Sequence, residues 1–259
     1  MEPAEKELSG RQALSRNFDV LQRAARETQQ HSRTVALPGR TYEMRPVPDA
    51  HALSREEMVR LVRTVFLSPG EQTPKVVVFT AAEPGAGCSS ICLGAAEALA
   101  AQMAGSVCVV DANLRHPSLH TVWAVDRGPG LSEILLDPER IPNCVRKLPG
   151  ENIWLVASGL ESAHSSGIMN PTRLAACVEQ LRGKFSFVLM DSPCANLYSD
   201  ATALGQCADG IILIVSANTT RRDSARRAKE NLQAAGARLL GAVLNKRTYP
   251  IPQAIYDRL

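Results

Sequence analysis

No stretch of this 259-residue chain approaches eighteen uninterrupted apolar residues, so a membrane-spanning helix is not expected. The opening Met-Glu-Pro-Ala-Glu-Lys-Glu has no apolar core of the kind a secretory leader carries. Work at a membrane would therefore require another chain to bring the protein there. A formal net charge of +3 is too small to argue for nucleic acid as a partner. The short basic clusters Arg221-Arg222 and Arg226-Arg227 read as the solvated face of a helix. Seven cysteines are present without a single C-x-x-C pair, and several sit inside apolar runs, where cysteine behaves as a small hydrophobe. That usage predicts a reducing, cytoplasmic compartment. No internal repeat of 20 to 50 residues is visible.

What is present is a globular composition, 45% hydrophobic and 21% charged. Residues 1–50 have few clustered apolar positions, and burial there cannot offset the entropy of ordering. They read as a disordered or partner-binding tail in which Leu14, Phe18, Leu21 and Ala25 permit one short amphipathic helix. A helix is predicted from Ser54, with Ser54 as cap and Glu57 completing a capping box, and with Met58, Leu61, Val62 and Val65 on one face. Pro69-Gly70 ends it.

Between residues 51 and 247 two periods alternate. Lys75–Phe79, Val107–Val110, Ile153–Val156, Phe185–Met190, Gly210–Val215 and Leu239–Leu244 are short continuous apolar runs, as expected for strands covered on both faces. Helical patterns cover Ser90–Met103, Pro171–Arg182 and Thr220–Ala235. The alternation predicts an α/β fold, a doubly wound and mainly parallel sheet flanked by helices, of the P-loop NTPase type. Residues 248–259 form a C-terminal tail.

The first strand runs into Ala82-Glu-Pro-Gly-Ala-Gly-Cys-Ser89, which opens a helix. In a P-loop, glycines let backbone N–H groups approach phosphates, a lysine reaches the β and γ oxygens, and a Ser or Thr hydroxyl holds Mg²⁺. Gly85, Ala86, Gly87, Ser89 and Ser90 fit the phosphate cradle, but Cys88 stands where the lysine belongs. Two further residues support a site. Asp111 ends the second strand and Asp191 the fourth, so both carboxylates point into the crevice where open α/β sheets bind ligands. With Ser89 they resemble a Mg²⁺-binding set, Asp191 in the position of a Walker B residue.

These residues resemble the bacterial tyrosine autokinases of capsule and exopolysaccharide synthesis, a family related to the Min and Par ATPases. The resemblance covers roughly residues 54–247. It rests on Asp111-x-Asn-x-Arg115-His-Pro-Ser-Leu-His120, Gly130-Leu-Ser-Glu-Ile-Leu135, Ser158-Gly159 followed by Asn170-Pro171-x-x-Leu174, and Phe187-Val-Leu-Met-Asp191-Ser-Pro193. Glu57-Met-Val-Arg60-Leu-Val-Arg63 matches the pattern through which subunits of that family associate, which implies a homo-oligomer. Asn245 is similar to the strand-end asparagine that contacts adenine. The resemblance implies ATP and Mg²⁺ as cofactors, autophosphorylation on C-terminal tyrosines (here Tyr249 and Tyr256), and a membrane polysaccharide co-polymerase or chain-length-determinant protein as partner. Such a partner would recruit this chain to the inner face of the plasma membrane.

The departures all remove charge that organises phosphates. Cys88 replaces the loop lysine, Asn113 the second aspartate of a D-x-D motif, and Glu83 the signature lysine of Par-type ATPases. Three readings follow. In the first, the domain is a degenerate kinase, its nucleotide binding weak or absent, that regulates or assembles polysaccharide export. In the second, it is an active tyrosine autokinase in which Arg115, or an arginine from a neighbouring subunit, replaces the lysine while Asp111 and Asp191 serve the hydroxyl and metal. In the third, it is a Par- or Min-like positioning ATPase. A redox role for Cys88 at a helix N-terminus is a fourth possibility, set against a thiol chosen only for being small and uncharged.

Overall fold

The computed structural model describes residues 50–67, 73–148, 152–160 and 168–247, with side chains from Arg55 onward in the first helix. The tail before residue 50, Pro69-Gly70 and both C-terminal tyrosines lie outside the described residues. The elements in order are α1 (Ala50–Phe66), β1 (Val76–Ala81), α2 (Cys88–Gln102), β2 (Val107–Asp111), α3 (Leu119–Val122) and α4 (Leu131–Leu136). A 3₁₀ turn over Pro138–Arg140 leads to α5 (Ile141–Cys144), β3 (Val145–Lys147), β4 (Ile153–Val156) and α6 (Pro171–Lys184). β5 (Phe187–Asp191), α7 (Asp200–Cys207), β6 (Gly210–Ser216), α8 (Arg222–Ala234) and β7 (Leu239–Asn245) complete the chain.

The strands form one seven-stranded sheet in the order β3-β4-β2-β5-β1-β6-β7. Every neighbouring pair is parallel except β3 with β4. The six expected strands are all present. β3 was not expected, because Val145-Arg-Lys147 is too short and too polar to read as a strand. Its antiparallel pairing holds Val145 opposite Val156 at the sheet's edge.

Alternation along each strand sends side chains to two cores. Val76, Val78, Cys108, Val110, Val188 and Met190 meet Leu131, Leu174, Val178, Leu181, Leu204 and Leu232 from α4, α6, α7 and α8. On the other face Val77, Phe79, Val107, Val109, Phe187 and Leu189 meet Val62, Phe66, Ile91, Ala95 and Leu99 from α1 and α2. The alanines of α2 let that helix lie close to the sheet, and Phe66 sets its ring edge-on to Phe187 at 5.6 Å. Burial on both faces explains why the strands read as continuous apolar runs.

α1 departs from the sequence reading at its start. It begins at Ala50, so Ser54 lies inside the helix and is not its cap. Ala50, Ala52 and Leu53 are good helix formers, and propagating the helix through them outweighs a stop at the serine. The expected start of α8 at Thr220 also moves, to Arg222, because the Thr220 hydroxyl instead accepts the Ser216 N–H at 3.0 Å and closes the turn after β6. α6 begins as its sequence dictates. The Asn170 side-chain oxygen accepts from the N–H groups of Thr172 and Arg173, and Pro171 occupies the first helical position.

Candidate phosphate-loop site

The loop between β1 and α2 is fastened at its base before it reaches any ligand. Ala82 donates its N–H to the Ile214 carbonyl at 3.0 Å, and the Ala82 carbonyl accepts from Asn196 Nδ2 at 2.9 Å and from the Cys194 thiol at 3.1 Å. Asn196 also donates to Ser224 in α8, so the loop base, the segment after β5 and α8 are tied together. Gly85 and Gly87 both hold positive φ, 75° and 90°. At Gly87 the side chain is excluded a second time, since a Cβ there would collide with Asn245 Nδ2. Gly87 is the N-cap of α2 and offers no side-chain cap, which leaves the first-turn N–H groups facing the loop's interior as an anion cradle.

Behind the cradle stand the two strand-end carboxylates. β2 and β5 pair so that Asp111 lies directly opposite Asp191. The Ser89 hydroxyl donates to Asp191 Oδ2 at 2.5 Å, and the Ser118 hydroxyl lies 3.4 Å from that of Ser89. Asp111 Oδ2 accepts the N–H groups of Ser118 and Leu119, each at 3.0 Å. The second oxygen of each carboxylate is buried and has no partner in the structure. Burial pushes the Asp191 carboxyl up to about 6, against the opposing pull of the Ser89 and Cys88 hydrogen bonds, and Asp111 adds a like charge. Burial also raises Asp111, although the N–H groups of Leu119, Ser118 and Asn113 hold it partly down. Two orphaned buried carboxylate oxygens beside a serine hydroxyl are a donor set suited to a hard divalent cation such as Mg²⁺.

The lysine position is a different matter. Burial and the neighbouring Asp191 carboxylate drive the Cys88 thiol well above its ordinary range, so it is neutral and brings no charge. Cys88 therefore lacks the lowered pKa that a reactive thiolate needs. Thus the residues present fit Mg²⁺ and a phosphate cradle, and do not reproduce the cation that the pattern normally supplies at position 88.

The remaining predicted residues separate. Arg115 does not face the loop as an unattached cation: its guanidinium pairs with Asp200, Nε to Oδ2 at 2.9 Å, and lies over the Tyr198 ring. Asn113 turns to its own backbone, accepting from the His116 N–H at 3.1 Å. Asn245 does join the loop, donating to the Ala86 carbonyl at 2.8 Å. Ser90 is exposed in the first turn of α2. Glu57, Arg60 and Arg63 are exposed along one side of α1, with Arg63 donating to Gln102 at 3.1 Å.

Two residues that sequence reasoning missed belong to the site. Asn196 fastens the loop base. Lys246 donates from Nζ to the Gly85 carbonyl at 2.6 Å. A lysine one residue beyond the strand-end asparagine was the only signal for the latter. Nothing in the linear order says that β7's end meets the loop after β1.

The sheet order, the glycine loop leading into a helix and the paired strand-end carboxylates define the class: a P-loop NTPase fold. Its homologues are bacterial proteins named as tyrosine-protein kinases. Tyrosine-protein kinase YwqD of Bacillus subtilis is 28% identical over 190 residues, 73% of this chain and 80% of that protein. Among solved structures, the chimerical protein CapA2B2 superposes with a TM-score of 0.70 at 25% identity, covering 79% of this chain and 87% of that one. The septum site-determining protein MinD of Pyrococcus horikoshii, solved with Mg-ADP, shares the fold at a TM-score of 0.58 and 22% identity over 71% of this chain and 76% of that one. No family model matches the chain.

Proposed function

We propose that this chain is a tyrosine-autokinase-like P-loop protein of capsular or exopolysaccharide synthesis that binds ATP and Mg²⁺ weakly and acts as a regulatory or assembly partner, with phosphoryl transfer lost. The observation that carries this reading is the neutral Cys88 thiol in the lysine position beside an intact Ser89, Asp191 and Asp111 set. Phosphoryl transfer depends on fixed positive charge at the γ oxygens, and removing one preorganised donor from such a site costs about 2.7–4 kcal/mol of transition-state stabilisation. Ground-state binding to the N–H cradle and Mg²⁺ tolerates that loss better than transfer does.

In this reading Gly85, Ala86, Gly87, Ser89 and Ser90 cradle phosphates, Ser89 and Asp191 hold Mg²⁺ with Asp111 behind them, and Asn245 borders the base. Glu57, Arg60 and Arg63 pair with a second copy in a homo-oligomer. The partner is a membrane co-polymerase or chain-length-determinant protein, which would hold this chain at the cytoplasmic face. No described helix is long and apolar enough to cross a membrane, in keeping with recruitment by another chain.

An active autokinase is the second reading, favoured by the intact Ser89–Asp191 contact. The Arg115–Asp200 pair counts against Arg115 as the replacement cation. Titration calorimetry with ATP and Mg²⁺, followed by incubation with γ-labelled ATP, separates the two. Binding without label supports the proposal, and label on Tyr249 or Tyr256 sinks it.

A further inference from the structure

The loop lacks its own cation, yet one ammonium group stands at its rim. Lys246 follows Asn245 at the end of β7 and holds a φ of 56°. Nζ reaches the Gly85 carbonyl at 2.6 Å, and Cε is the third-nearest atom to where a Gly87 Cβ would stand, at 3.9 Å. Among the described residues Lys246 takes part in no ion pair. Its backbone is fixed by a second contact, the Lys246 N–H donating to Asn245 Oδ1 at 2.8 Å, while Asn245 Nδ2 holds the Ala86 carbonyl. The lysine is thus carried by the residue that packs against the loop.

We infer that Lys246 is the cation of the phosphate site, entering from the end of β7 and substituting for the lysine missing at position 88. The inference rests on the proposal that this loop binds a nucleoside polyphosphate. Several observations converge on it. Glu83 lies in the loop and Asp111 and Asp191 face each other at the neighbouring strand ends, while Lys246 brings an ammonium group onto the loop itself. The unpartnered, buried Asp191 oxygen marks the crevice as a place for a cation–anion pair, Mg²⁺ and phosphate. A neutral backbone carbonyl is a weaker acceptor for an ammonium group than a phosphate oxygen, so a short shift of a flexible side chain from Gly85 to the ligand is favourable. Lysine serves such sites as a point charge, which makes its route of approach less important than its final position.

The geometry also separates binding from transfer. Lys246 bonds the Gly85 carbonyl from the end of β7, whereas position 88 is the first residue of α2. Lys246 thereby supplies charge for holding the polyphosphate without restoring the fixed, internal lysine on which transfer relies.

The test is equilibrium binding of a fluorescent ATP analogue in Mg²⁺ to the full chain and to Lys246→Met, Lys246→Arg, Cys88→Lys and the double variant Lys246→Met/Cys88→Lys. Loss of a charge-assisted contact predicts a roughly ten- to hundredfold weaker dissociation constant for Lys246→Met. Lys246→Arg keeps most of the affinity, and Cys88→Lys in the Lys246→Met background recovers it, because the two lysines supply the same charge. A lysine at position 88 strengthens binding in either background, so the decisive quantity is the difference: Cys88→Lys should gain more affinity in Lys246→Met than in the wild type, and equal gains in the two backgrounds, as expected for a lysine that merely pins the Gly85 carbonyl, overturn the inference. Equal binding by wild type and Lys246→Met overturns it as well. Binding by Cys88→Lys but not by wild type overturns the substitution while leaving the site as a nucleotide site. Binding by none of the variants overturns both.

Discussion

Replacing Asp191 with asparagine makes the ligand-free protein more stable at neutral pH. Asp191 is 1% exposed, and its carboxyl titrates at about 6 in the fold against 3.8 unperturbed. Because the folded value lies above the unfolded one, the native state binds the proton more tightly between those values. Stability is therefore lost as pH rises from about 4 through 6, and above that range the buried charge costs about 3 kcal/mol. Asparagine keeps the shape and an oxygen to accept from Ser89, and carries no charge at any pH. The Asp191→Asn gain should accordingly be about 3 kcal/mol at pH 7.5, about half of that at pH 5, and small near pH 4. For a domain of this size the neutral-pH gain corresponds to roughly 2–4 °C in Tm per kcal/mol. Urea unfolding in EDTA at the three pH values measures it. Addition of Mg²⁺ should then stabilise the wild type and not the variant, since the cation neutralises a charge that only the wild type has. A variant less stable than wild type at pH 7.5, or a gain that does not shrink at pH 5, would refute the reasoning.

Cys88→Lys should strengthen ATP binding and, if only the lysine is missing, raise autophosphorylation by roughly two to three orders of magnitude, the size expected for one preorganised donor and read by γ-label incorporation. Gly87→Ala should abolish nucleotide binding and lower stability by about 1–3 kcal/mol, because alanine must adopt a φ of 90° against the Asn245 side chain; calorimetry and thermal melting check both. Glu133→Gln should cost about 1–3 kcal/mol. Its carboxylate is partly desolvated but accepts the N–H groups of Gly130 at 2.6 Å and Leu160 at 2.9 Å, which hold its pKa below the usual range. A lowered folded pKa means that this contribution is present above about pH 4.5 and disappears as pH falls below it, so the wild-type and Gln curves should converge in acid.

The strands were legible because both faces of the sheet are covered, so Val76–Phe79 and Ile211–Ile214 are uninterrupted apolar runs. α6 was legible because Asn170-Pro171 specifies its own start through local hydrogen bonds. The short α3, α4, α5 and α7 were not, since they are held by packing against the sheet and carry too few turns to impose a period of 3.6. Ser54 misled because a capping box is a local signal that a longer run of helix formers overrides.

The site divides along the same line. The loop glycines, Ser89, Asp111 and Asp191 could be named from the order of residues, because a glycine turn after a strand and a carboxylate at a strand's end have fixed places in a parallel sheet. The absence of lysine at position 88 was equally plain. Only the tertiary structure decided that Arg115 is spoken for by Asp200, that Asn196 fastens the loop base, and that Lys246 arrives at Gly85. Each of those contacts joins residues from 85 to 161 positions apart. Local sequence determines which groups stand at the ends of strands, whereas the sheet order, placing β1 between β5 and β6 with β7 beyond, determines which of them meet.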